Sequence, residues 1–374
     1  MMRSKRMRGL FIVFAVMTLA LSGCASQKAQ DQVKIGGLFG LTGFASFAGQ
    51  GSREGFLMAI EDSGMNVSYQ IEDYGSDFKS VATSATKLIE VDGVDVLIGP
   101  EWEFGGVVVP IVKEKGLLAI TPWNTAGQEW VNSPYYLSIS SSYRPEGQAI
   151  IEYMASHGLK KVALLYEDNE FSLDNMGMFK EDLATHPEIE VVADIKTAAD
   201  STGYGSQSTF KTEIEKIGSA GPDSIYAVLP TDAGEGALAK QVFESGIKAQ
   251  LFIPFARGAS DAFRVGYKDY LDGVIYPAAK ESNNMAAFKV KYKARYGKEP
   301  SALSAAGAYD ATTLVLKAIK SGAKTPEEIR QYLMSVKDYE GYSNTLTFKE
   351  GDHHMATEIA VLMRIGGARA EAIS

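Results

Sequence analysis

The chain has 374 residues, 45% of them apolar and 22% charged, with a net charge of −9 at pH 7. These are the proportions of a globular protein with a sizeable core and length enough for two domains, and they exclude a disordered or collagen-like chain. So acidic a chain is also a poor binder of nucleic acid or of anionic lipid surfaces.

At the N-terminus Arg3, Lys5, Arg6 and Arg8 precede the apolar run "GLFIVFAVMTLAL". The run is too short to span a bilayer and leads into small residues, so residues 1–23 read as a secretory signal. It ends in "LSGC", which resembles a bacterial lipobox. That motif implies a diacylglycerol thioether on Cys24 and a lipid anchor in a bacterial membrane, facing the periplasm or the exterior. Cys24 is the sole cysteine, so no disulfide framework competes for it. "ASQKAQDQ" reads as a polar tether, completing a segment 24–32. Cleavage after residue 23 would discard four positive charges and leave a still more acidic chain. No later stretch approaches the roughly 18 apolar residues of a membrane span.

From there short apolar runs alternate with helical patterns. Strands are predicted at 33–39, 67–73, 94–99, 117–121, 161–167, 189–195, 224–230, 249–255 and 272–277. Many are continuously apolar, as parallel strands covered on both faces are. The helices between them stop at Gly64, Gly93, Gly116, Gly158, Gly246, Gly297 and Gly322, and "TPEE" (325–328) is a capping box. Alternation of this kind predicts an α/β fold with doubly wound parallel sheets, and about ten strands favour two lobes over one sheet. A break fits at "SISSSYRPEG" (138–147).

Open α/β sheets take ligands beyond the carboxyl ends of their strands. That rule selects the loops at 40–49, 100–106, 122–127, 168–175, 231–236 and 256–262. Phe47, Trp102, Phe104, Trp123 and Phe171 are predicted to form aromatic walls there, with Phe44 beside them. Glu101, Glu103, Asn124, Thr125, Asp168, Asp232 and Arg257 are predicted to supply polar contacts.

Catalytic chemistry finds little support. No G-x-S-x-G elbow is present, and glycines 37, 40 and 43 do not match a dinucleotide fingerprint. His157 and His186 stand at helix ends, and adjacent histidines in "GDHHM" point to opposite faces of a hairpin. Neither a cofactor nor a metal is expected.

With these loops placed, the chain resembles the type I periplasmic solute-binding proteins, most of all the leucine/isoleucine/valine-binding branch serving ABC importers. The resemblance rests on "KIGGLFGLTGFASFAGQGSREGFLMAIED", "DVLIGPEW", "LLAITPWNTA", "KVALLYEDNEFS", "DSIYAVLP", "GAYDATTLVLKAI" and "TLTFKEGDH", spanning about 33–365. It implies three hinge crossovers, near 140–145, 274–280 and 337–343. Lobe one would be 33–142 plus 276–338, and lobe two 143–275 plus 339–374. It further implies a small-molecule ligand, lobe closure, and a membrane permease as partner.

Members that bind amino acids hold the α-carboxylate with hydroxyls and backbone N–H groups, for which Asn124 and Thr125 are available. The loop "EWEFGG" offers no hydroxyl, and the acidic residue that takes an ammonium group is met in "PFARGAS" by Arg257, leaving Asp168 or Asp232 for that role. These departures point to a zwitterionic, amide-like or aromatic solute. The competing expectation is an envelope lipoprotein that uses the same fold to contact a cell-wall synthase or a receptor kinase.

Overall fold

The structure, a computed structural model, describes residues 33–43, 45–75, 77–124, 133–199, 208–258, 260–279, 282–300, 303–349, 353–356 and 360–373. Cys24, the signal run, the tether and Thr125 lie outside the described residues, as do the side chains of Phe47, Glu103 and Arg257.

In the first lobe the apolar runs become β1 (Lys34–Phe39), β2 (Ser68–Asp73), β3 (Val96–Ile98), β4 (Leu118–Thr121) and β5 (Tyr136–Ser138). They form one parallel sheet in the order β2-β1-β3-β4-β5. Between them run α1 (Ser46–Ser63), α2 (Phe78–Thr86, continued by a π-helical turn over Lys87–Val91) and α3 (Gly105–Lys115). One face of the sheet buries Ile35, Ile98 and Ile120 against Phe56 of α1. The other buries Leu38, Leu97 and Ala119 against Val81, Val108 and Val112 of α2 and α3. Over β1, β3 and β4 both faces are therefore dry, which is why these runs are continuous rather than alternating, whereas the edge strand β2 is half exposed and more polar.

The second lobe contains α4 (Arg144–Ser156), β6 (Lys161–Glu167), α5 (Glu170–Leu183), β7 (Glu190–Thr197), α6 (Lys211–Ala220) and β8 (Ser224–Val228). There follow α7 (Asp232–Ser245), β9 (Gln250–Phe252), a single turn α8 (Phe255–Gly258), α9 (Asp261–Tyr267) and β10 (Ile275–Ala279). Strands β7-β6-β8-β9-β10 are parallel. The sheet is extended by two antiparallel strands from the end of the chain, β13 (Ala360–Gly366) and β14 (Arg369–Ile373).

After β10 the chain returns to the first lobe as α10 (Met285–Tyr296), α11 (Leu303–Lys320) and α12 (Pro326–Met334), followed by the small ladder β11 (Tyr339–Glu340) with β12 (Thr345–Leu346). Helix α11 lies so close to α1 that a Cβ on Gly55 would overlap the Ala305 carbonyl oxygen. Helix α12 opens with the expected capping box of Thr325 and Glu328. Gly64, Gly116, Gly246 and Gly297 close α1, α3, α7 and α10 in the left-handed conformation.

The third crossover departs from the expected 337–343. Leu346, Phe348 and Met355 are buried with Ile35 and Leu137 in the first-lobe core, so the chain reaches the second sheet only at β13. Burial of these three apolar side chains holds the segment to lobe one for longer than the hairpin pattern implied. The first crossover is clamped to this returning segment. Ser138 donates its backbone N–H to the His353 carbonyl at 2.7 Å and accepts from Met355 N–H at 2.8 Å. Among the described residues no helix is long and apolar enough to cross a membrane.

Candidate ligand cleft

Each sheet has a point where its strand order reverses. β1 lies between β2 and β3, and β6 lies between β7 and β8. The loops beyond β3 and β6 therefore stand at the crevices that such sheets offer to ligands.

The loop after β3 turns abruptly. Gly99, with φ 105, passes so near β1 that a Cβ would overlap the Leu38 carbonyl oxygen. Glu101 then points inward and is 1% exposed, with Tyr74 donating its phenolic hydrogen to the carboxylate at 2.9 Å. Burial pushes the Glu101 carboxyl above its usual range, and burial beside that carboxylate pushes the Tyr74 phenol well up.

A 3₁₀ turn over Trp102–Phe104 separates the two aromatics. Trp102 adopts φ 58, a left-handed conformation rare for a bulky residue, and faces the cleft. Phe104 turns back into the first-lobe core, 2% exposed, with its ring 4.8 Å from Tyr74 and 5.1 Å from Phe78. The expected place of Phe104 in the cleft wall is thus corrected, as is a solute-facing role for Glu101. The turn sends alternate residues to opposite sides.

The loops after β3 and β4 are tied together. Trp102 donates its N–H to the Trp123 carbonyl at 2.8 Å, and the two rings lie 5.4 Å apart at 38°. Asn124 also departs from its expected role. It is 0% exposed, and its amide nitrogen donates to the Trp102 carbonyl and to the Tyr136 hydroxyl, each at 2.9 Å. Ser138 and Ser140 in turn donate their hydroxyls to the Asn124 carbonyl at 2.7 and 2.6 Å. Asn124 therefore fixes the backbone of the wall, its amide buried behind the tryptophans.

Across the cleft stand Tyr143, Glu146, Phe171, Pro254 and Phe255 of the second lobe. Tyr143 and Phe171 meet edge to face at 5.6 Å and 88°. Together with Trp102 and Trp123 they enclose about 10 Å³, at the limit of what one water molecule needs. The lobes are therefore closed upon one another. Sequence reasoning placed Trp102, Trp123 and Phe171 here but missed Tyr143, Glu146, Pro254 and Phe255. The signal for the first pair lay in "SYRPEG", where a proline-started helix begins at a crossover. Pro254 and Phe255 stand just before Arg257, which drew attention to that loop for its charge instead.

The remaining candidates are elsewhere. Asp232, in the first turn of α7, accepts from the Ser260 hydroxyl at 3.1 Å and does not line the enclosed space. Asp168 pairs with Lys196 at 3.1 Å, both half exposed. Arg144 pairs with Glu181 and Asp182, fastening α4 to α5 behind the cleft. His353 is buried, and Nδ1 of His354 lies 3.2 Å from the Ser140 carbonyl. Among the described residues no group of three or more His, Cys, Asp or Glu side chains is placed to hold a metal.

Two doubly wound lobes with an aromatic cleft at their strand ends define a bilobal solute-binding architecture. A sequence model of the periplasmic binding protein family matches residues 32–368, and the chain belongs to that family. Its fold is shared with the branched-chain amino acid transporter substrate binding protein LivJ from Streptococcus pneumoniae, solved in complex with isoleucine. That match has a TM-score of 0.75 and 22% identity, covering 91% of this chain and 99% of the other. A solute binding protein of an ABC transporter from Rhodopseudomonas palustris, in complex with 3,4-dihydroxy benzoic acid, matches with a TM-score of 0.74. There identity is 21%, over 91% of this chain and 96% of the other. Among curated proteins, Glutamate receptor 2.7 of Arabidopsis thaliana is 24% identical over 171 residues, 43% of this chain but only 18% of the receptor.

Proposed function

We propose that the chain is the solute-binding component of an ABC importer, capturing a small polar, amino-acid-like or aromatic solute between its lobes. The observation that carries this reading is the meeting of Trp102 and Trp123 with Tyr143, Phe171 and Phe255 across the cleft. Tyr143 and Phe171 extend the second-lobe core and Trp102 packs on the first-lobe core, so the wall joins the two cores across the cleft. Trp102 and Phe171 follow β3 and β6, beside the points where the strand order reverses. The solute docks on one open lobe, the hinge crossovers flex, and the second lobe completes the burial. Solute favours the closed state to the extent that it binds that state more tightly, and a permease reads the closed shape. The protein acts by binding and not by catalysis. Cys24 carries the lipid that holds it at the membrane.

The test is a thermal-shift screen of amino acids, amides, amines and aromatic acids, after bound solute has been stripped by partial unfolding and dialysis. A solute at a hundred times its dissociation constant adds about 2.7 kcal/mol, a shift of a few degrees. No shift for any solute, on protein shown to be folded, would refute the reading in favour of a protein-contacting envelope module. Incorporation of labelled fatty acid, lost in Cys24→Ala, tests the anchor.

A further inference from the structure

The chain passes between the lobes from β5 to α4, from β10 to α10, and between β12 and β13. All three connections are tied to one turn, residues 341–344 between β11 and β12. Ser282, on the return to lobe one, donates its hydroxyl to the Gly341 carbonyl at 2.7 Å, and Asn284 donates its amide to the Glu340 carbonyl at 3.2 Å. Asn344 donates its amide to the Ile139 carbonyl of the first connection at 3.3 Å. The third connection is held through Met355, which donates to the Ser138 carbonyl at 2.8 Å and accepts from Thr347 N–H at 2.9 Å.

The turn is anchored from α11. Asp310 is buried there and accepts from Tyr342 N–H, Ser343 N–H and the Ser343 hydroxyl. A Cβ on Gly341 would overlap that carboxylate, so the turn sits hard against it. Three residues earlier on the same helix, a Cβ on Gly307 would overlap the carbonyl oxygen of Pro122, the neighbour of Trp123. One helix thus supports both the turn and a loop of the cleft wall. The charged and titratable groups around the carboxylate are Lys317 and Tyr309 of α11, Tyr332 of α12, Tyr339 of β11 and Tyr342 of the turn. The Lys317 ammonium lies over the Tyr339 ring at 4.3 Å, and Lys291 of α10, over the Tyr342 ring, pairs with Asp62 of α1.

We propose that Asp310 is the positioning residue of the hinge: by holding the 341–344 turn it joins the three connections into one unit, so that they loosen together when the lobes part. The purpose of such a hinge rests on the solute-binding reading, but its behaviour is measured without solute, so failure of the one is distinct from failure of the other. Opening the turn to water returns the Asp310 carboxyl from about 6 toward its ordinary 3.8. Opening therefore releases a proton and becomes easier as pH rises from about 4 to 6, then levels off.

The experiment is hydrogen exchange at single-amide resolution on the whole chain in mild detergent, stripped of solute. Asp310→Asn is expected to lower protection at the Ser138, Met285 and Met355 amides by at least roughly tenfold, and by similar factors, along with Tyr342 and Ser343. Ser343→Ala removes one of the three bonds and should give the same pattern in smaller degree, which serves if Asp310→Asn does not fold. Val81→Ala, in the core on the far face of the first sheet, is the control for general loss of stability and should not single out these amides. In the parent, protection at the three connections, corrected for intrinsic exchange, should fall together by up to about a hundredfold between pH 4 and pH 7. Asp310→Asn should abolish that dependence. Loosening confined to Tyr342 and Ser343, by substitution or by pH, would overturn the inference. So would a loss at the connections that Val81→Ala reproduces.

Discussion

Trp102 and Trp123 are joined twice, by a 2.8 Å hydrogen bond from the Trp102 N–H to the Trp123 carbonyl and by ring contact at 5.4 Å. The loops after β3 and β4 therefore behave as one wall. Trp102 holds its indole there from a left-handed backbone, which costs a residue with a Cβ about 1–2 kcal/mol. Replacing Trp102 with glycine relieves that cost while removing the ring. Trp102→Gly is therefore expected to keep its melting temperature within a few degrees of the parent yet lose solute affinity by roughly tenfold or more. Thermal melts and calorimetric titration of one preparation check both. A large fall in melting temperature would mean that the indole serves as core.

Asn124 gives the complementary case of a residue that supports the wall without touching solute. Asn124→Ala leaves the Trp102 carbonyl and the Tyr136 hydroxyl without their amide donor inside a dry lobe. The expected cost is about 1–3 kcal/mol of stability, read by urea denaturation. Solute affinity should fall as well, because Trp102 loses a fixed backbone. Full affinity with reduced stability would show that the Trp102–Trp123 bond suffices alone.

Most of the architecture was legible in the sequence, since apolar runs, terminating glycines and one capping box act locally. The first-lobe parallel sheet follows from runs such as "VDVLIG" and "LLAIT", and the helix ends at Gly64, Gly116, Gly246 and Gly297 fell where glycine predicted. The site was legible only in part. Three aromatics of the wall were found because strand ends mark a crevice, but "EWEF" does not reveal which of its residues face inward. A 3₁₀ turn with a positive φ at Trp102 decided that, burying Glu101 and Phe104. Tyr143 and Glu146 belong to the wall through the docking of one lobe on the other, a relation that no local pattern encodes. The late third crossover has the same origin. Leu346, Phe348 and Met355 look like any hairpin residues until the first-lobe core receives them.

Gly55 tests how tightly α11 must approach α1. A methyl group there meets the Ala305 carbonyl oxygen, which belongs to helix backbone and yields only if the helices part. Gly55→Ala should gain a few tenths to 1 kcal/mol from helix propensity but lose more by overpacking, for a net loss on the order of 1–3 kcal/mol. The check is chemical denaturation of the parent and variant. A neutral or stabilising outcome would mean that the contact relaxes at no cost.

Asp310, on α11, is 0% exposed and organises the turn between β11 and β12. It accepts from Tyr342 N–H at 2.9 Å and from the Ser343 N–H and hydroxyl, each at 2.6 Å. Burial raises its pKa from 3.8 to about 6 despite those bonds. Between these values the folded chain holds a proton that the unfolded chain has released. This group's contribution to stability is therefore greatest below pH 4, falls as pH rises toward 6, and levels off above. A shift of about two units corresponds to a change on the order of 3 kcal/mol. Asp310→Asn carries no such proton, though its amide nitrogen faces an N–H donor and lowers stability at every pH. Denaturation at intervals from pH 4 to pH 7 should show the gap between parent and variant narrowing as pH rises. Glu101, whose pKa is also raised, is common to both proteins and cancels in the difference. A gap that stays constant would mean that Asp310 is ionised throughout, its hydrogen bonds outweighing its burial.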